Sequence, residues 1–153
     1  MAFRGQYEHS LDSKDRLTVP RRFRTALSDG VILLSWLDDC VALFAPEDFE
    51  TFSDRYLAQQ NPLGQRGRRM VRRFYASADD DSLDSAGRVR LRPHMIEHAS
   101  LEGPCIVVGA LDHLEVWNPE KWATESAETL EQASEMSEEF AAADWPVAGG
   151  DSE

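Results

Sequence analysis

The sequence contains few of the residues from which disulfide-rich domains and membrane spans are built. Its two cysteines, Cys40 and Cys105, lie far apart and outside any CxxC motif. Unpaired cysteine usually behaves as a small apolar residue, so we expect both to be buried. No apolar run reaches the roughly 18 residues that suggest a transmembrane helix. These absences argue against a disulfide-stabilised secreted domain and an integral membrane protein, and we expect a cytoplasmic protein.

Basic residues are also scarce, but they are concentrated in particular segments. The formal net charge is −12. Residues 125–153 hold nine acidic and no basic residues, so the rest of the chain has 19 acids and 16 bases. Residues 1–24 hold six bases against three acids, and residues 66–73 hold five arginines and no acid. Because the charges are segregated along the chain, the net charge does not argue against a nucleic-acid partner.

The sequence contains two similar copies of one short unit. Residues 11–17 (LDSKDRL) are echoed by residues 83–89 (LDSAGRV), with four identical positions. Residues 39–49 are matched in the same way by residues 112–122. A unit of about 45 residues buries too little surface on folding to be stable on its own. We therefore expect the copies to share one core through an internal pseudo-two-fold, and to present the same charged turn twice.

Apolar spacing and turn residues predict the same order of elements in both copies. Strands are predicted at 3–11, 17–19, 31–34, 41–44, 89–91, 105–108 and 114–117. Helices are predicted at 21–27 and 66–78 and after three prolines, Pro46, Pro93 and Pro119, because proline favours the first helical position. Residues 79–82 are interpreted as a solvated link, and residues 145–153 as a frayed end.

Both charged turns fit one family signature. The segments 12–20 (DSKDRLTVP) and 83–89 (LDSAGRV) resemble the MraZ family, whose hallmark is a DxxGR turn in each of two tandem AbrB-like units. Residues 3–7 (FRGQY) and 116–120 (VWNPE) fit the same pattern. The resemblance implies an α+β fold, in which two tandem AbrB-like swapped-hairpin β units related by a pseudo-two-fold carry helical extensions.

The repeat and the resemblance together predict four segments. The first AbrB-like unit spans 6–49 and the second spans 79–122. A helical linker, 50–78, joins them, and residues 123–153 form an acidic C-terminal helix and tail.

The resemblance also implies a function. Members of this family are transcription regulators that bind short direct repeats upstream of their own cell-division and cell-wall gene cluster, and they assemble into rings. The expected partners are therefore double-stranded DNA and further copies of the chain, without a membrane. The expected location is cytoplasmic and nucleoid-associated. No enzymatic activity, cofactor or metal is expected.

The residue match assigns roles within the two turns. Lys14 and Arg16 in the first turn and Arg88 in the second would contact DNA, while Asp12 and Asp84 would shape the turns. Arginine can donate two parallel hydrogen bonds to guanine O6 and N7, whereas lysine suits phosphate. The alternative is that each arginine only pairs with the aspartate of its own turn, and the two roles can coexist.

The first turn departs from the signature at one position. Asp15 stands where the motif normally has glycine, and the second turn has Gly87 there. If this position needs a positive φ, aspartate tolerates it better than most other residues. Asp15 and Gly87 are therefore also expected to shape their turns.

Further arginines are candidates for contacts with DNA. The basic N-terminal stretch contributes Arg4, Arg21 and Arg22. The arginines of residues 66–73 are interpreted either as an auxiliary phosphate surface or, preferably, as a solvated helix face paired with the acidic C-terminal helix.

Two other functional classes compete with DNA binding. Residues 94–98 (HMIEH) match the HxxEH motif of inverted zinc proteases, in which both histidines bind the metal. The corresponding segment of the first copy, 22–26 (RFRTA), offers no ligand, which favours a coincidence. A non-catalytic assembly or partner-binding AbrB-like module, similar to an antitoxin, is the second alternative.

Overall fold

The computed structural model describes residues 2–143. The chain divides into two compact units, Met1–Pro119 and Glu120–Glu153. The frayed end predicted at 145–153 lies outside the described residues, as does the last part of the predicted tail. In the described part of the chain, no helix is both long enough and apolar enough to cross a membrane.

Apart from Asp79–Asp81 and the segment 21–27, strands and helices follow each other in the predicted order. The strands are β1 (Gln6–Ser10), β2 (Arg16–Thr18), β3 (Val31–Ser35), β4 (Cys40–Phe44), β5 (Asp79–Asp81), β6 (Arg88–Arg90), β7 (Pro104–Gly109) and β8 (Leu114–Trp117). The α-helices are α1 (Pro46–Tyr56), α2 (Gln65–Tyr75), α3 (Pro93–Ala99) and α4 (Pro119–Ala142), and Arg21–Phe23 forms one turn of 3₁₀ helix. Helices α1, α3 and α4 begin at the predicted prolines.

Six strands in the described part of the chain form one antiparallel sheet with the order β1-β7-β8-β4-β3-β5. The hairpins β3–β4 and β7–β8 meet at the centre, where β4 pairs with β8. Strand β1 of the first copy pairs with β7 of the second, and β5 of the second pairs with β3 of the first. Each hairpin is therefore extended by the first strand of the other copy. Strands β2 and β6 form a separate two-stranded ribbon.

The core lies where the hairpins and the ribbon converge. Strands β3 and β4 read as nearly continuous apolar runs, which is typical of strands covered on both faces. Val31, Leu33, Val41 and Leu43 are all buried in one cluster. Both cysteines are also buried, as predicted, and burial raises the pKa of the Cys105 thiol to about 11. A thiol in that environment is mostly protonated and unreactive at neutral pH.

The predicted solvated link at 79–82 is wrong for Asp79–Asp81, which form edge strand β5. Aspartate is unfavourable in strands, but strand preference depends strongly on tertiary context. The backbone pairs with β3, and the side chains of Asp79 and Asp81 have partners of their own. Asp79 forms an ion pair with Arg92, and Asp81 accepts hydrogen bonds from the backbone amides of Ser82 and Arg90.

Two helical predictions also need correction. The segment predicted as a helix at 21–27 is a 3₁₀ helix only over Arg21–Phe23 and continues as turns. The helix predicted at 66–78 ends at Tyr75, and on its apolar face Phe74 is buried whereas Met70 is 43% exposed. Buried Gly67 accounts for part of that face, because an added Cβ there would collide with the Asn61 carbonyl oxygen.

Candidate nucleic-acid interface

The β2–β6 ribbon presents a row of polar side chains on one face. In its register, Arg16 faces Arg90, Leu17 faces Val89 and Thr18 faces Arg88. Leu17 and Val89 are buried in the core. Because side chains alternate between the two faces of a strand, the other two cross-strand pairs lie on the opposite, outward face. The ribbon is thus anchored by an apolar pair and displays three arginines and a threonine.

The first turn, residues 12–16, is held together by the carboxylate of Asp12. Its Oδ1 accepts hydrogen bonds from the backbone amides of Lys14 and Arg16, both at 2.9 Å. Its Oδ2 accepts from Arg16 Nε at 2.7 Å. The backbone of Asp12 bonds to both sides of the turn, donating to Arg16 O and accepting from Asp15 N at 3.0 Å each. One aspartate therefore fixes both the path of the turn and the position of the guanidinium.

The second turn, residues 84–88, repeats this geometry atom for atom. Asp84 Oδ1 accepts from the amides of Ala86 and Arg88 at 2.9 Å, and Oδ2 accepts from Arg88 Nε at 2.8 Å. The backbone bonds Asp84 N to Arg88 O and Gly87 N to Asp84 O also recur, at 3.0 and 2.9 Å. The repeated sequence motif is a repeated three-dimensional motif.

The position before each arginine has a positive φ in both turns. The φ angle is 59° at Asp15 and 75° at Gly87, which is the conformation that the glycine of the signature suits. The carbonyl of Asp15 accepts from Leu91 N, and that of Gly87 accepts from Val19 N, both at 2.9 Å. Each turn is thereby tied to the far end of the neighbouring strand.

The electrostatics of the turns favour charged aspartates. Hydrogen bonding from the Arg16 backbone amide is the largest cause that lowers the pKa of Asp12 to about 2. The Arg88 amide lowers the pKa of Asp84 in the same way. Both carboxylates are therefore ionised at neutral pH, so the ion pair proposed as an alternative role is present in each turn.

That ion pair leaves the outer end of each guanidinium available. The aspartate engages only Nε of Arg16 and of Arg88. Within residues 2–143, the two terminal nitrogens of each arginine make no hydrogen bond or ion pair. The terminal nitrogens can form the two parallel donors that bind a guanine edge or a phosphate. Pairing with aspartate thus fixes each guanidinium while leaving its terminal nitrogens able to make a further contact.

The other predicted DNA-binding residues occupy different places. Lys14 is exposed on the first turn. Arg21 is exposed just after β2, and antiparallel pairing brings this end of β2 towards the second turn. Arg22 follows it, donates to Tyr7 Oη at 2.7 Å and lies 5.2 Å from the centre of the Phe23 ring. Arg4 is exposed just before β1, where its backbone passes closely over Gly109.

At least two arginines of α2 have structural roles. Arg73 donates to the backbone carbonyls of Ser35 and Trp36 at 2.9 and 2.5 Å, which fastens α2 to the end of β3. Arg68 donates to the carbonyls of Pro62 and Leu63 at 3.0 and 3.1 Å. Their guanidiniums are engaged with the backbone, which weakens the interpretation of the whole run as a phosphate surface.

The histidines of the HxxEH motif are directed to separate backbone carbonyls. His94 Nε2 lies 3.0 Å from Ser77 O, and His98 Nε2 lies 2.9 Å from Asp38 O. A ring nitrogen that donates to a carbonyl has no lone pair for a metal. Searching the described residues finds no group of three or more side chains suited to a metal ion.

Two polar residues of interest were missed by sequence reasoning. Arg90 lies on the ribbon face opposite Arg16, and the alternation in the segment Arg88–Arg90 was the available signal. His113 is buried, with Nδ1 2.7 Å from Asp112 Oδ1 and Nε2 2.8 Å from Glu115 Oε2. Burial lowers the pKa of this histidine, but the hydrogen bonds to the two carboxylates raise it by a larger amount, so its pKa lies above the ordinary value.

Comparison with known proteins identifies relatives of the chain. The family model described as "MraZ protein, putative antitoxin-like" matches twice, at residues 2–74 and 74–144. A Transcriptional regulator MraZ of Limosilactobacillus fermentum is 36% identical over 122 residues, covering 80% of this chain and 85% of the relative. A protein of the same name from Alkaliphilus metalliredigens is 38% identical over 121 residues, covering 78% and 83%.

A third relative extends over more of the chain. The Transcriptional regulator MraZ of Nocardioides sp. is 32% identical over 140 residues, covering 91% of this chain and 96% of the relative. The two family matches divide the chain into two repeats, as its own internal similarity does. The repeated Asp–Arg turns, the two family matches and these relatives together show that this chain belongs to the MraZ family.

Proposed function

We propose that this chain is a sequence-specific DNA-binding transcriptional regulator that reads double-stranded DNA with the β2–β6 ribbon and its two turns. The observation that carries this proposal is the Asp–Arg turn, which occurs twice with the same hydrogen bonds on one ribbon. The relatives are named transcriptional regulators, which supports the same role.

The ribbon has dimensions and chemistry suited to DNA. The major groove admits a two-stranded β-ribbon, and arginine is the commonest reader of guanine there. Arg16 and Arg88 are held at Nε by aspartate, so less conformational entropy is lost when their terminal nitrogens bind. Asp12, Asp15, Asp84 and Gly87 act by shaping the turns rather than by touching DNA.

Other basic residues supply phosphate contacts in this proposal. Lys14 extends from the first turn, and Arg21 and Arg22 lie beyond the end of β2. Arg4 contributes more distantly. The acidic C-terminal segment repels DNA and limits non-specific binding, since specificity depends on what a protein rejects as well as on what it binds.

The two copies form swapped-hairpin AbrB-like units related by a pseudo-two-fold. The exchange of β1 and β5 between the hairpins supports this arrangement, as does the pairing of β4 with β8 at the sheet centre. The units span 6–49 and 79–122, joined by the helical linker 50–78 and followed by the acidic segment 123–153.

The target is a set of short direct repeats upstream of the chain's own cell-division and cell-wall gene cluster. One ribbon makes few base contacts, so several copies assembled as a ring would gain affinity for repeated sites through avidity. The large apolar side chains of Leu37, Tyr56 and Met70 are exposed and line one surface cavity. They support self-association, because a contiguous exposed apolar patch marks an interaction surface. The protein acts in the cytoplasm at the nucleoid, without catalysis or a cofactor.

A partner-binding, antitoxin-like module is the second candidate. The wording of the matched family description favours it. In that case the ribbon arginines would engage an acidic protein surface, and binding would not depend on DNA sequence.

Fluorescence anisotropy separates these candidates. The protein is titrated onto labelled DNA from upstream of its own gene and onto a shuffled duplex of equal length, at several salt concentrations. We expect preference for the native DNA, an affinity that falls steeply with salt, and loss of binding in the Arg16→Ala, Arg88→Ala double variant. A control, Arg55→Ala, removes an exposed arginine of α1 outside the ribbon and outside residues 66–73, and retains binding.

The opposite results would redirect the interpretation. Equal binding by the double variant and wild type would remove the ribbon arginines from the site. Equal binding to native and shuffled DNA would contradict sequence-specific recognition and favour the partner-binding module.

A further inference from the structure

The outward face of the ribbon has two pairs of equivalent positions. One pair carries the same residue in both copies, and the other pair carries different residues. Arg16 and Arg88 occupy equivalent positions in the two copies. Two residues further on, the first copy has Thr18 and the second has Arg90. Because the strands are antiparallel, Arg90 lies opposite Arg16, and Thr18 lies opposite Arg88. One end of the ribbon therefore carries two guanidiniums, and the other end carries one guanidinium and a hydroxyl.

The side chain of Arg90 is more accessible to a ligand than those of Arg16 and Arg88. Its side chain is exposed, whereas those of Arg16 and Arg88 are half-buried against their aspartates. Its backbone amide donates to Asp81 Oδ2 at 3.2 Å, which ties its backbone to β5. Among residues 2–143, no acidic side chain forms an ion pair with its guanidinium. Arg90 thus combines an anchored backbone with an uncommitted charged end.

The chemistry of the two ends differs accordingly. Two adjacent guanidiniums favour base edges with paired acceptors, for which guanine is the best match. Threonine offers one hydroxyl and a methyl group, which can bond to several bases or contact the thymine methyl. A ribbon with identical ends would read both DNA strands alike and would favour a sequence equal to its own reverse complement.

We propose that Arg90 is a specificity-determining residue that, with Thr18 at the equivalent position, gives the ribbon a fixed direction on DNA. This inference rests on the proposed function, since it assigns base contacts to the same ribbon. Arg16 and Arg90 read neighbouring base pairs at one end, and Arg88 and Thr18 read the other. Each chain then binds a site that differs from its reverse complement.

The test is selection in vitro from duplexes with a randomised central tract, followed by anisotropy on the enriched sequences. Wild type is compared with Arg90→Thr, which places the residue of the first copy in the second, and with Thr18→Arg, which makes the reverse change. Arg90→Lys keeps the charge but not the bidentate fork. Arg55→Thr is the matched control for loss of an exposed arginine on α1.

We expect wild type and Arg55→Thr to enrich one asymmetric motif. Arg90→Thr gives both ends of the ribbon one arginine and one threonine, so it should lose the base preference that Arg90 adds at one end and shift the motif towards its own reverse complement. It should bind the wild-type motif about 5- to 150-fold more weakly, the range for one bidentate base contact. Arg90→Lys should recover part of the affinity without the preference. Thr18→Arg should gain preference at the opposite end and shift the motif towards its own reverse complement.

Three results would overturn the inference. Arg90→Thr could enrich the wild-type motif with unchanged affinity, or it could weaken binding to all duplexes equally, which would make Arg90 a phosphate contact. A wild-type motif equal to its own reverse complement would contradict a fixed direction. Failure of wild type to enrich any motif would reject the proposed function itself, which separates the two failures. If Arg90→Thr does not fold, unchanged preference in Arg90→Lys overturns the inference alone.

Discussion

The two turns of the ribbon adopt one geometry with different residues at their centres. The first turn has Lys14 and Asp15 where the second has Ala86 and Gly87. The hydrogen bonds around the flanking aspartate and arginine are nevertheless the same in both. The aspartate carboxylate and the arginine therefore determine the shape of the turn, and the residues between them are available for other roles.

The two turns differ most in what surrounds the residue with positive φ. At Gly87 an added Cβ would collide with the side chain of Arg24, which donates from Nε to Val19 O at 3.0 Å. The 72-residue offset between the turns places Ile96 at the position equivalent to Arg24. The first turn thus has room for the Asp15 side chain, whereas a side chain at position 87 would displace Arg24.

The largest effect is expected from making the second turn like the first. Gly87→Asp combines a non-glycine residue at positive φ with the collision against Arg24, and it should destabilise the protein by about 1–3 kcal/mol. Urea unfolding followed by circular dichroism measures this change. The reciprocal variant, Asp15→Gly, relieves strain at φ 59° but adds freedom to the unfolded chain, so a change well under that of Gly87→Asp is expected.

Replacing Arg24 sharpens the interpretation. In an Arg24→Ala background, Gly87→Asp should cost less, because the collision is gone and only the backbone strain remains. If Gly87→Asp lowers the free energy of unfolding equally in both backgrounds, the Arg24 side chain moves aside without cost. The collision with Arg24 would then not distinguish the two turns.

The comparison between copies extends to the centre of the sheet, where a second effect is expected. The residue equivalent to His113 in the first copy is Cys40, and Ala42 is equivalent to Glu115. The second copy therefore places a cluster of ionisable side chains, centred on buried His113, where the first copy has two apolar residues. The His113 ring also lies 4.9 Å from the Phe44 ring and 4.7 Å from that of Trp36, between ring centres. Glu115 Oε1 accepts from Trp117 Nε1 at 3.0 Å.

We predict that this cluster makes the protein less stable as the solution becomes alkaline. Its carboxylates raise the pKa of His113 above the ordinary value of 6.5. A raised folded-state pKa adds stability that is fully present below the unfolded value and is lost as pH rises through the folded value. Urea unfolding at a series of pH values should show this loss above 6.5 in wild type.

Glu115→Gln tests the cause, because it keeps an acceptor for His113 but removes the negative charge. The loss of stability with rising pH should be smaller in this variant, whereas Glu8→Gln, which removes an exposed carboxylate of β1, should retain the wild-type profile. Identical profiles for wild type and Glu115→Gln would contradict the assignment.

The smallest effect is expected at the exposed turn aspartates, and it has the opposite sign. The pKa of Asp12 is lowered from 3.8 to about 2, so its stabilising contribution is present above 3.8 and is lost as pH falls through about 2. Asp12→Asn should flatten this acid-side loss, and Asp84→Asn should act similarly. A steeper acid-side loss in either variant would argue against the hydrogen bonds described here.

Sequence reasoning succeeded where the determinants are local. The Asp–Arg spacing marked both turns, the prolines marked the starts of α1, α3 and α4, and the apolar runs marked the two hairpins. Strand β5 was missed because Asp79–Asp81 form a strand only through pairing with β3. Arg90 was missed because its place beside Arg16 follows from the register of two strands that are distant in sequence.

The exchange of first strands has a consequence for how the two copies can vary. Strand β1 completes the sheet beside β7, and β5 completes it beside β3, so each copy relies on the other to finish its hairpin layer. Two separate identical chains could exchange strands in the same way. The equivalent positions of the two units would then always carry the same residue. Joining the copies in one polypeptide removes that obligation. It permits Thr18 in one copy where the other has Arg90, and Cys40 where the other has His113, so covalent linkage lets a two-fold scaffold encode a direction.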